Sequence, residues 1–210
     1  MLYLGNQKVC FAIKKPSVER EIVNGVFSMP TNNANIVMPD NATDIGNYAL
    51  YYAYCRAMNI QSFDCNNVTQ VTGNYSLERA FYYSGIETFS GGKISNITGQ
   101  NAFNNTFLGC TSLTTIEFPE LESISSNAGL SYMCSTCTSL ETVRFPKLKT
   151  ISYATEFYNS FSGCTKLASI TFDALDTITV ATVFNRAFNN CSLLRNVYFP
   201  ALKSTSFGSK

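Results

Sequence analysis

The chain has 210 residues, of which 14% are charged and 45% hydrophobic, and its formal net charge is +1. The apolar content is sufficient for a continuous core, and without a basic excess nucleic acid is not expected as a partner. No run approaches the roughly 18 apolar residues of a membrane helix, so membrane insertion is not expected either. His and Trp are absent, which removes the commonest general base and metal ligand.

Residues 1–32 stand apart from the rest of the chain. LYLGNQKVCFAI alternates like a strand, and EREIVNGVFSM predicts a second strand that turns at Asn24-Gly25. We interpret this segment as an N-terminal cap that covers the end of a repeat domain. It lacks the features of a signal peptide, and its opening resembles short modules of phage structural proteins.

Residues 33–210 are a tandem repeat. Four units begin with a leucine every 27 residues: LTTIEFPELESI, LETVRFPKLKTI, LASITFDALDTI and LRNVYFPALKST, starting at Leu113, Leu140, Leu167 and Leu194. Weaker units start near residues 33, 60 and 86. The chain therefore contains about six and a half repeats, and a period of this length is typical of a solenoid.

The first half of each unit predicts a short strand. Ile116 and Phe118 alternate with Thr115 and Glu117, a period of two with one buried side. A proline follows the strand in several units, where its missing N–H breaks no ladder hydrogen bond: Pro39, Pro119, Pro146 and Pro200. The second apolar pair of the unit predicts another short extended segment.

The later half of each unit carries apolar residues at i, i+4 and i+7, which predicts a short helix of two to three turns. The sets are Tyr48/Tyr52/Cys55, Leu77/Phe81/Ser84, Phe103/Phe107/Cys110, Leu130/Cys134/Cys137, Phe157/Phe161/Cys164 and Phe184/Phe188/Cys191. Helices this short are stable only when stacked. The predicted fold is an α/β solenoid, a right-handed coil of short parallel strands and short helices.

The unit L-x-x-I-x-F-P followed by F-x-x-C resembles the BspA-like leucine-rich-repeat family from Asn33 to the C-terminus. The resemblance implies a leucine-rich-repeat solenoid. For the family generally it implies surface-exposed adhesion or recognition proteins of bacteria and some protozoa, and it implies no chemistry. The units here are a few residues longer than is usual, and the excess precedes the helix-like half.

The cysteines fit packing better than metal or redox chemistry. Cys110, Cys137, Cys164 and Cys191 share one position of four successive units, with Cys55 and Ser84 assigned to it in the first two. Cys134 and Cys65 replace phenylalanines of other units. Cys134 and Cys137 form a C-x-x-C, but no second pair completes a zinc site. We expect buried free thiols and assign no metal or cofactor.

Charged residues fit ladders better than acid–base catalysis. Two columns alternate in sign from unit to unit: Lys93/Glu120/Lys147 and Glu122/Lys149/Asp176/Lys203. Opposite charges on neighbouring strands stabilise a register and like charges oppose it. We assign no catalytic residue.

Tyrosines concentrate in the first two units. Tyr52 is aligned with Phe81 and is expected in the core. For Tyr51, Tyr54, Tyr82 and Tyr83 two interpretations remain open, a contact surface for a partner or ordinary partial burial.

The outward side chains of the stacked strands form the candidate ligand face. Its members are Asp64, Thr88, Ser90, Thr115, Glu117, Thr142, Arg144, Ser169, Thr171, Asn196 and Tyr198. A shallow face of this kind suits a protein or carbohydrate ligand. Equally, Ser and Thr are simply suitable residues for exposed strand positions.

The sequence therefore predicts a non-enzymatic recognition or adhesion module of bacterial-surface or phage origin. The alternative is a structural or assembly component, for example of a virion. An extracellular, cell-surface or virion location is favoured. We also expect weak end-to-end self-association through the C-terminal coil, because an uncovered terminal strand leaves backbone groups unpaired.

Overall fold

The computed structural model describes Tyr3–Leu4, Gln7–Lys8 and residues 34–205, except 126, 128, 152, 154, 155, 180 and 181. Near the N-terminus, β1 (Tyr3–Leu4) and β2 (Gln7–Lys8) pair antiparallel. The segment predicted as one strand is therefore two paired strands, and the Gly-Asn dipeptide between them in the sequence is of a kind that favours tight turns. The second predicted strand and its turn at Asn24-Gly25 lie outside the described residues.

Thirteen further strands follow the 27-residue period of the sequence. They are β3 (Ala34–Val37), β4 (Ile60–Asp64), β5 (Gln70–Val71), β6 (Thr88–Ser90), β7 (Asn96–Ile97), β8 (Thr115–Glu117), β9 (Ser123–Ile124), β10 (Thr142–Arg144), β11 (Thr150–Ile151), β12 (Ser169–Thr171), β13 (Thr177–Ile178), β14 (Asn196–Tyr198) and β15 (Ser204–Thr205).

These strands form two parallel sheets. The first sheet has the order β14-β12-β10-β8-β6-β4-β3, and the second has the order β15-β13-β11-β9-β7-β5. The first coil contributes β3 to the first sheet and only the single bridge Asp44–Gln70 beside the second, and each following coil contributes one strand to each sheet. Successive coils pair in register, for example Thr115 with Thr142 and Ser123 with Thr150. The solenoid and both predicted extended segments are therefore confirmed.

The helices were a wrong prediction: no helix occurs within the described ranges. The segments that carried the i, i+4, i+7 pattern are runs of overlapping turns. One set of amides closes turns, as Tyr51 N–H donates to the Tyr48 carbonyl at 3.2 Å. The intervening amides cross to the next coil, as Leu50 N–H donates to the Ser76 carbonyl at 2.7 Å.

A left-handed residue every four positions keeps these turn segments from becoming helical. In the first coil Tyr48, Tyr52 and Arg56 have φ between 53° and 58°. A helix requires an uninterrupted run of negative φ. The turn segment still brings every fourth side chain to the same side, so the apolar pattern alone did not distinguish it from a helix.

The backbone bonds also correct the register of the first turn segment. Tyr54 N–H bonds the Ala80 carbonyl just as Phe81 N–H bonds the Thr106 carbonyl. Tyr54, not Tyr52, therefore occupies the position of Phe81. By the same register Ala57, not Cys55, occupies the position of Ser84. Several closely spaced tyrosines made the apolar pattern compatible with more than one alignment.

The core consists of columns, each made of residues one repeat apart in successive coils. Rings stack along these columns, with centroids 5.4 Å apart for Phe118 and Phe145 and 5.8 Å apart for Phe145 and Phe172. Cys65 and Gly91 precede Phe118 in the same column, so the predicted place of Cys65 is confirmed. Such columns bury the inward side chains of both sheets and of the turn segments between them.

Candidate functional site

Two rows of outward side chains run across the first sheet, in the register the sequence predicted. We call one the small-polar row and the other the mixed row. The small-polar row contains Asn35, Ser62, Thr88, Thr115, Thr142, Ser169 and Asn196. The mixed row contains Val37, Asp64, Ser90, Glu117, Arg144, Thr171 and Tyr198.

The small-polar row is a flat surface of hydroxyl and amide groups. Thr88, Ser169 and Asn196 are exposed, while Thr115 and Thr142 are half-buried. Ser62 Oγ donates to Asn35 Oδ1 at 2.8 Å, so neighbours can bond across the strands. These groups are able to donate and accept hydrogen bonds toward a ligand that lies on the sheet.

The mixed row differs between its two halves. Asp64 Oδ1 accepts the Asn66 N–H at 2.8 Å, and Ser90 Oγ accepts the Gly92 N–H at 3.1 Å. Both side chains therefore brace the turn that follows their strand, a role the sequence reasoning did not assign to them. The other half faces outward: Arg144 is exposed, and Tyr198 is 51% exposed.

Glu117 and Arg144 form the one charged pair of the described part of this face. Arg144 Nε lies 3.6 Å from Glu117 Oε1, and both side chains remain largely accessible to solvent. An exposed pair of this kind contributes little to stability. Both charges therefore stay available for a ligand.

The predicted charge ladders are present in part and lie on other surfaces. Lys147 Nζ is 2.5 Å from Glu120 Oε2, Lys149 Nζ is 2.9 Å from Glu122 Oε2, and Lys203 Nζ is 3.8 Å from Asp176 Oδ2. Lys93 donates to Asn67 Oδ1 at 2.8 Å. The Lys149 bond and charge lower the pKa of Glu122. These pairs connect neighbouring coils.

The described cysteines are free thiols, as expected. Within the shared column each thiol donates to a carbonyl of the preceding coil: Cys137 Sγ to Phe107 O at 3.0 Å, and Cys164 Sγ to Cys134 O at 3.2 Å. Burial raises the pKa of the Cys164 thiol. Buried, protonated thiols fill space and pair backbone carbonyls. Cys10 lies outside the described residues.

Glu156 is the group that the sequence reasoning missed. It is fully buried, and among the described residues neither carboxylate oxygen forms a hydrogen bond of good geometry. Burial raises its pKa from 4.5 to about 8, and the backbone of Gly129 offsets only part of the effect. The sequence does contain a sign that Glu156 is unusual, because the equivalent position of the other coils holds a small or apolar residue: Ala49, Ser76, Ala102, Gly129 and Val183.

The four tyrosines for which the sequence left two interpretations open differ in how deeply they are buried. Tyr54 is 2% exposed and its ring stacks on Phe81 at 5.2 Å, so of the two interpretations left open for it, burial is the one that applies. Tyr83 is 48% exposed, and Tyr51 and Tyr82 are half-buried. These three lie on the outer surface of the turn segments.

The described ranges contain neither a metal-binding cluster nor a membrane-spanning helix. No group of three or more His, Cys, Asp or Glu side chains there is placed to hold a metal ion. No helix there is long and apolar enough to cross a membrane.

Solved structures are similar to the chain at low sequence identity. A leucine-rich repeat protein from T. pallidum matches with a TM-score of 0.50 and 19% identity, over 80% of this chain and 69% of that one. One from Bacteroides ovatus matches with a TM-score of 0.44 and 20% identity, over 91% of this chain. The chain spans 55% of the Bacteroides ovatus protein.

A leucine-rich cell surface protein from Faecalibacterium prausnitzii is also similar, with a TM-score of 0.29 and 16% identity over 79% of this chain and 59% of that one. No curated protein matches the sequence. The model of the BspA type leucine-rich repeat region, in six copies, matches residues 11–107 and 78–210. The chain belongs to this BspA-type leucine-rich-repeat family.

Proposed function

We propose that the protein is a non-enzymatic recognition or adhesion module that binds a protein ligand across the outward face of its first sheet. The observation that carries this proposal is the accessible half of the mixed row, Glu117, Arg144, Thr171 and Tyr198, beside a continuous small-polar row. Tyr and Arg are enriched in protein interfaces. We further propose display on a bacterial surface, which the family resemblance implies, with a virion as the alternative location.

A protein ligand fits this face better than a buried small molecule. Seven in-register strands give a wide surface, whereas small-molecule sites are concave and largely apolar. The charges of Glu117 and Arg144 can orient a partner that carries the opposite arrangement. A glycan is the other ligand class that the hydroxyl groups of the small-polar row suit, and the experiment separates the two.

The test compares two double variants. Arg144→Ala with Tyr198→Ala removes a cation and an exposed ring from the sheet face. Lys149→Ala with Tyr153→Ala removes the same two chemistries elsewhere, since Lys149 is exposed and Tyr153 is 44% exposed. Binders from a display library of random linear peptides, and hits from a glycan array, are measured against both variants and the wild type.

We expect peptide binders that lose about tenfold or more in affinity with the sheet-face variant, roughly 1.4 kcal/mol or more, and little with the control. If only glycans show this loss, the ligand class is wrong. If neither probe distinguishes the two variants, the sheet-face proposal fails.

An assembly role is the second candidate. It is favoured by the half-buried apolar side chains of the last described coil, among them Phe188, Val197 and Phe199. A second copy that stacks end to end would cover them and the edge of β14. Light scattering over a range of concentrations should then show a mass that rises above the monomer, and a constant monomeric mass would count against this role.

A further inference from the structure

The first two coils present an array of large side chains at left-handed backbone positions. We call these six residues the tyrosine–arginine array: Tyr48, Tyr52 and Arg56 in the first coil, and Tyr75, Arg79 and Tyr83 in the second. Backbone bonds between the coils place Tyr48 beside Tyr75, Tyr52 beside Arg79 and Arg56 beside Tyr83. The array lies on the turn segments and not on the sheet face.

The other coils show that the fold does not require these residue types. Nine of the described residues at the same positions in the later coils also have positive φ: Asn101, Asn105, Gly109, Tyr132, Thr136, Asn159, Gly163, Arg186 and Asn190. Six of these nine are Asn or Gly, the residues that tolerate this conformation best. In the first two coils all six are Tyr or Arg, which strain the backbone more.

Contacts within the array hold its rings in fixed orientations. Tyr48 stacks on Tyr75 with centroids 5.1 Å apart and meets Tyr51 edge-on at 5.5 Å. The Arg79 guanidinium lies 5.4 Å from the centre of the Tyr52 ring and donates to the Tyr52 hydroxyl. Tyr83 lies against Gly109 and still exposes 48% of its surface. Rigid rings lose little entropy when they bind.

The accessible charge of the array is positive. Arg56 is exposed and the Arg79 side chain is 37% exposed, whereas the side chain of Glu78, 3.7 Å from Arg79, is only 13% exposed. Arg binds carboxylates through a planar set of donors. Tyr and Arg together are the residues most enriched among those that dominate protein–protein binding energy.

We propose that the tyrosine–arginine array is a second binding surface, and that its partner is a protein segment carrying Asp or Glu side chains. Two observations carry this proposal: residues that strain the backbone are concentrated in two adjacent coils, and positive charge is accessible there. Strained residues persist where function requires them. The array is independent of the sheet face and of the ligand proposed for it.

In the test, the three array residues of the second coil are replaced by asparagine, a residue that the later coils have at the same positions. In the array variant, Tyr75→Asn, Arg79→Asn and Tyr83→Asn follow Asn101, Asn105 and Asn190 of the same columns. Because Asn suits a left-handed backbone, we expect Tm to change by less than about 5 °C. A larger fall in Tm would show that the array is needed for folding, and the proposal would be wrong.

Binding is measured with peptides selected on the wild type from a display library of random linear peptides. The expected binders are enriched in Asp and Glu, bind the array variant at least about tenfold more weakly and weaken as salt rises. The sheet-face variant, Arg144→Ala with Tyr198→Ala, should bind them normally. If the array variant binds these peptides as tightly as the wild type does, the proposal is wrong. It is also wrong if glycans on a glycan array, and not peptides, are the ligands whose binding depends on these Tyr and Arg residues.

Discussion

Replacing Glu156 by Gln is expected to remove a loss of stability that the wild type shows between about pH 4.5 and about pH 8. Across this interval the free energy of unfolding of the wild type should fall, relative to the variant, by roughly 3–5 kcal/mol. The reason is that burial removes water from the carboxyl group, and the backbone of Gly129 offsets only part of the resulting cost of its charged form.

The direction follows from the two pKa values. In the folded protein burial raises the pKa of Glu156 to about 8, above the ordinary value of 4.5. Below the ordinary value the carboxyl group is protonated in both states, so this group causes no loss of stability there. Between the two values only the unfolded chain releases the proton, so rising pH favours unfolding, and above the folded pKa the loss levels off.

The measurement is urea unfolding of both proteins across this pH range. Gln leaves an unpaired buried amide, but that cost is the same at every pH, so the difference between pH values isolates the charge. Glu87→Gln is the control, because Glu87 is exposed. Parallel stability curves for the wild type and Glu156→Gln would show that the carboxyl group is solvated in the folded protein.

Replacing Gly99 by Ala is expected to lower the free energy of unfolding by at least about 3 kcal/mol. A Cβ atom there would lie 1.9 Å from the carbonyl oxygen of Gly73 and 2.5 Å from its carbonyl carbon. Gly73 in turn lies against Gly46, with its own added Cβ 1.9 Å from the Gly46 carbonyl carbon. The clash is with backbone, so no side-chain rotation relieves it.

Two variants calibrate this effect in the same denaturation experiment. Thr98→Ala changes an exposed neighbour and should have almost no effect. Gly163→Ala should cost about 1–2 kcal/mol, because its φ is +78° while its Cβ would only touch Thr136 at 3.4 Å. If Gly99→Ala is no worse than Gly163→Ala, the coils are not stacked as closely as the structure has them.

The sheets could be predicted from sequence because their period is unambiguous. Ile116 and Phe118 alternate with polar neighbours and recur after one repeat, which defines the strand, its inward side and its outward rows. The alignment of both outward rows from coil to coil was consequently predicted correctly. The family assignment rests on the same units.

The turn segments could not be predicted in the same way. An apolar residue at every fourth position fits a helix and a run of overlapping turns equally well. The difference lies in where alternate backbone amides donate, as Tyr52 N–H does to the Glu78 carbonyl in the next coil. The pattern of side chains does not show directly which carbonyl an amide bonds. Asn and Gly at left-handed positions, such as Asn105 and Gly109, indicate only in part that the segment consists of turns.

The site was predicted in outline and not in its details. Arg144 and Tyr198 are accessible, as a ligand face requires, but Asp64 and Ser90 hold the turns after their strands. Such local bonds depend on the loop conformation, which the strand pattern does not specify.

The turn segments, which carry the tyrosine–arginine array, depend on hydrogen bonds that run from coil to coil. Through-hydrogen-bond NMR couplings test these bonds most directly. A coupling is expected between the backbone nitrogen of Leu50 and the carbonyl carbon of Ser76, whose hydrogen bond is 2.7 Å long, and another between Leu77 and Ala102 at 2.8 Å. A coupling from Leu50 to the carbonyl of Gly46, the i to i−4 bond of a helix, would contradict the account.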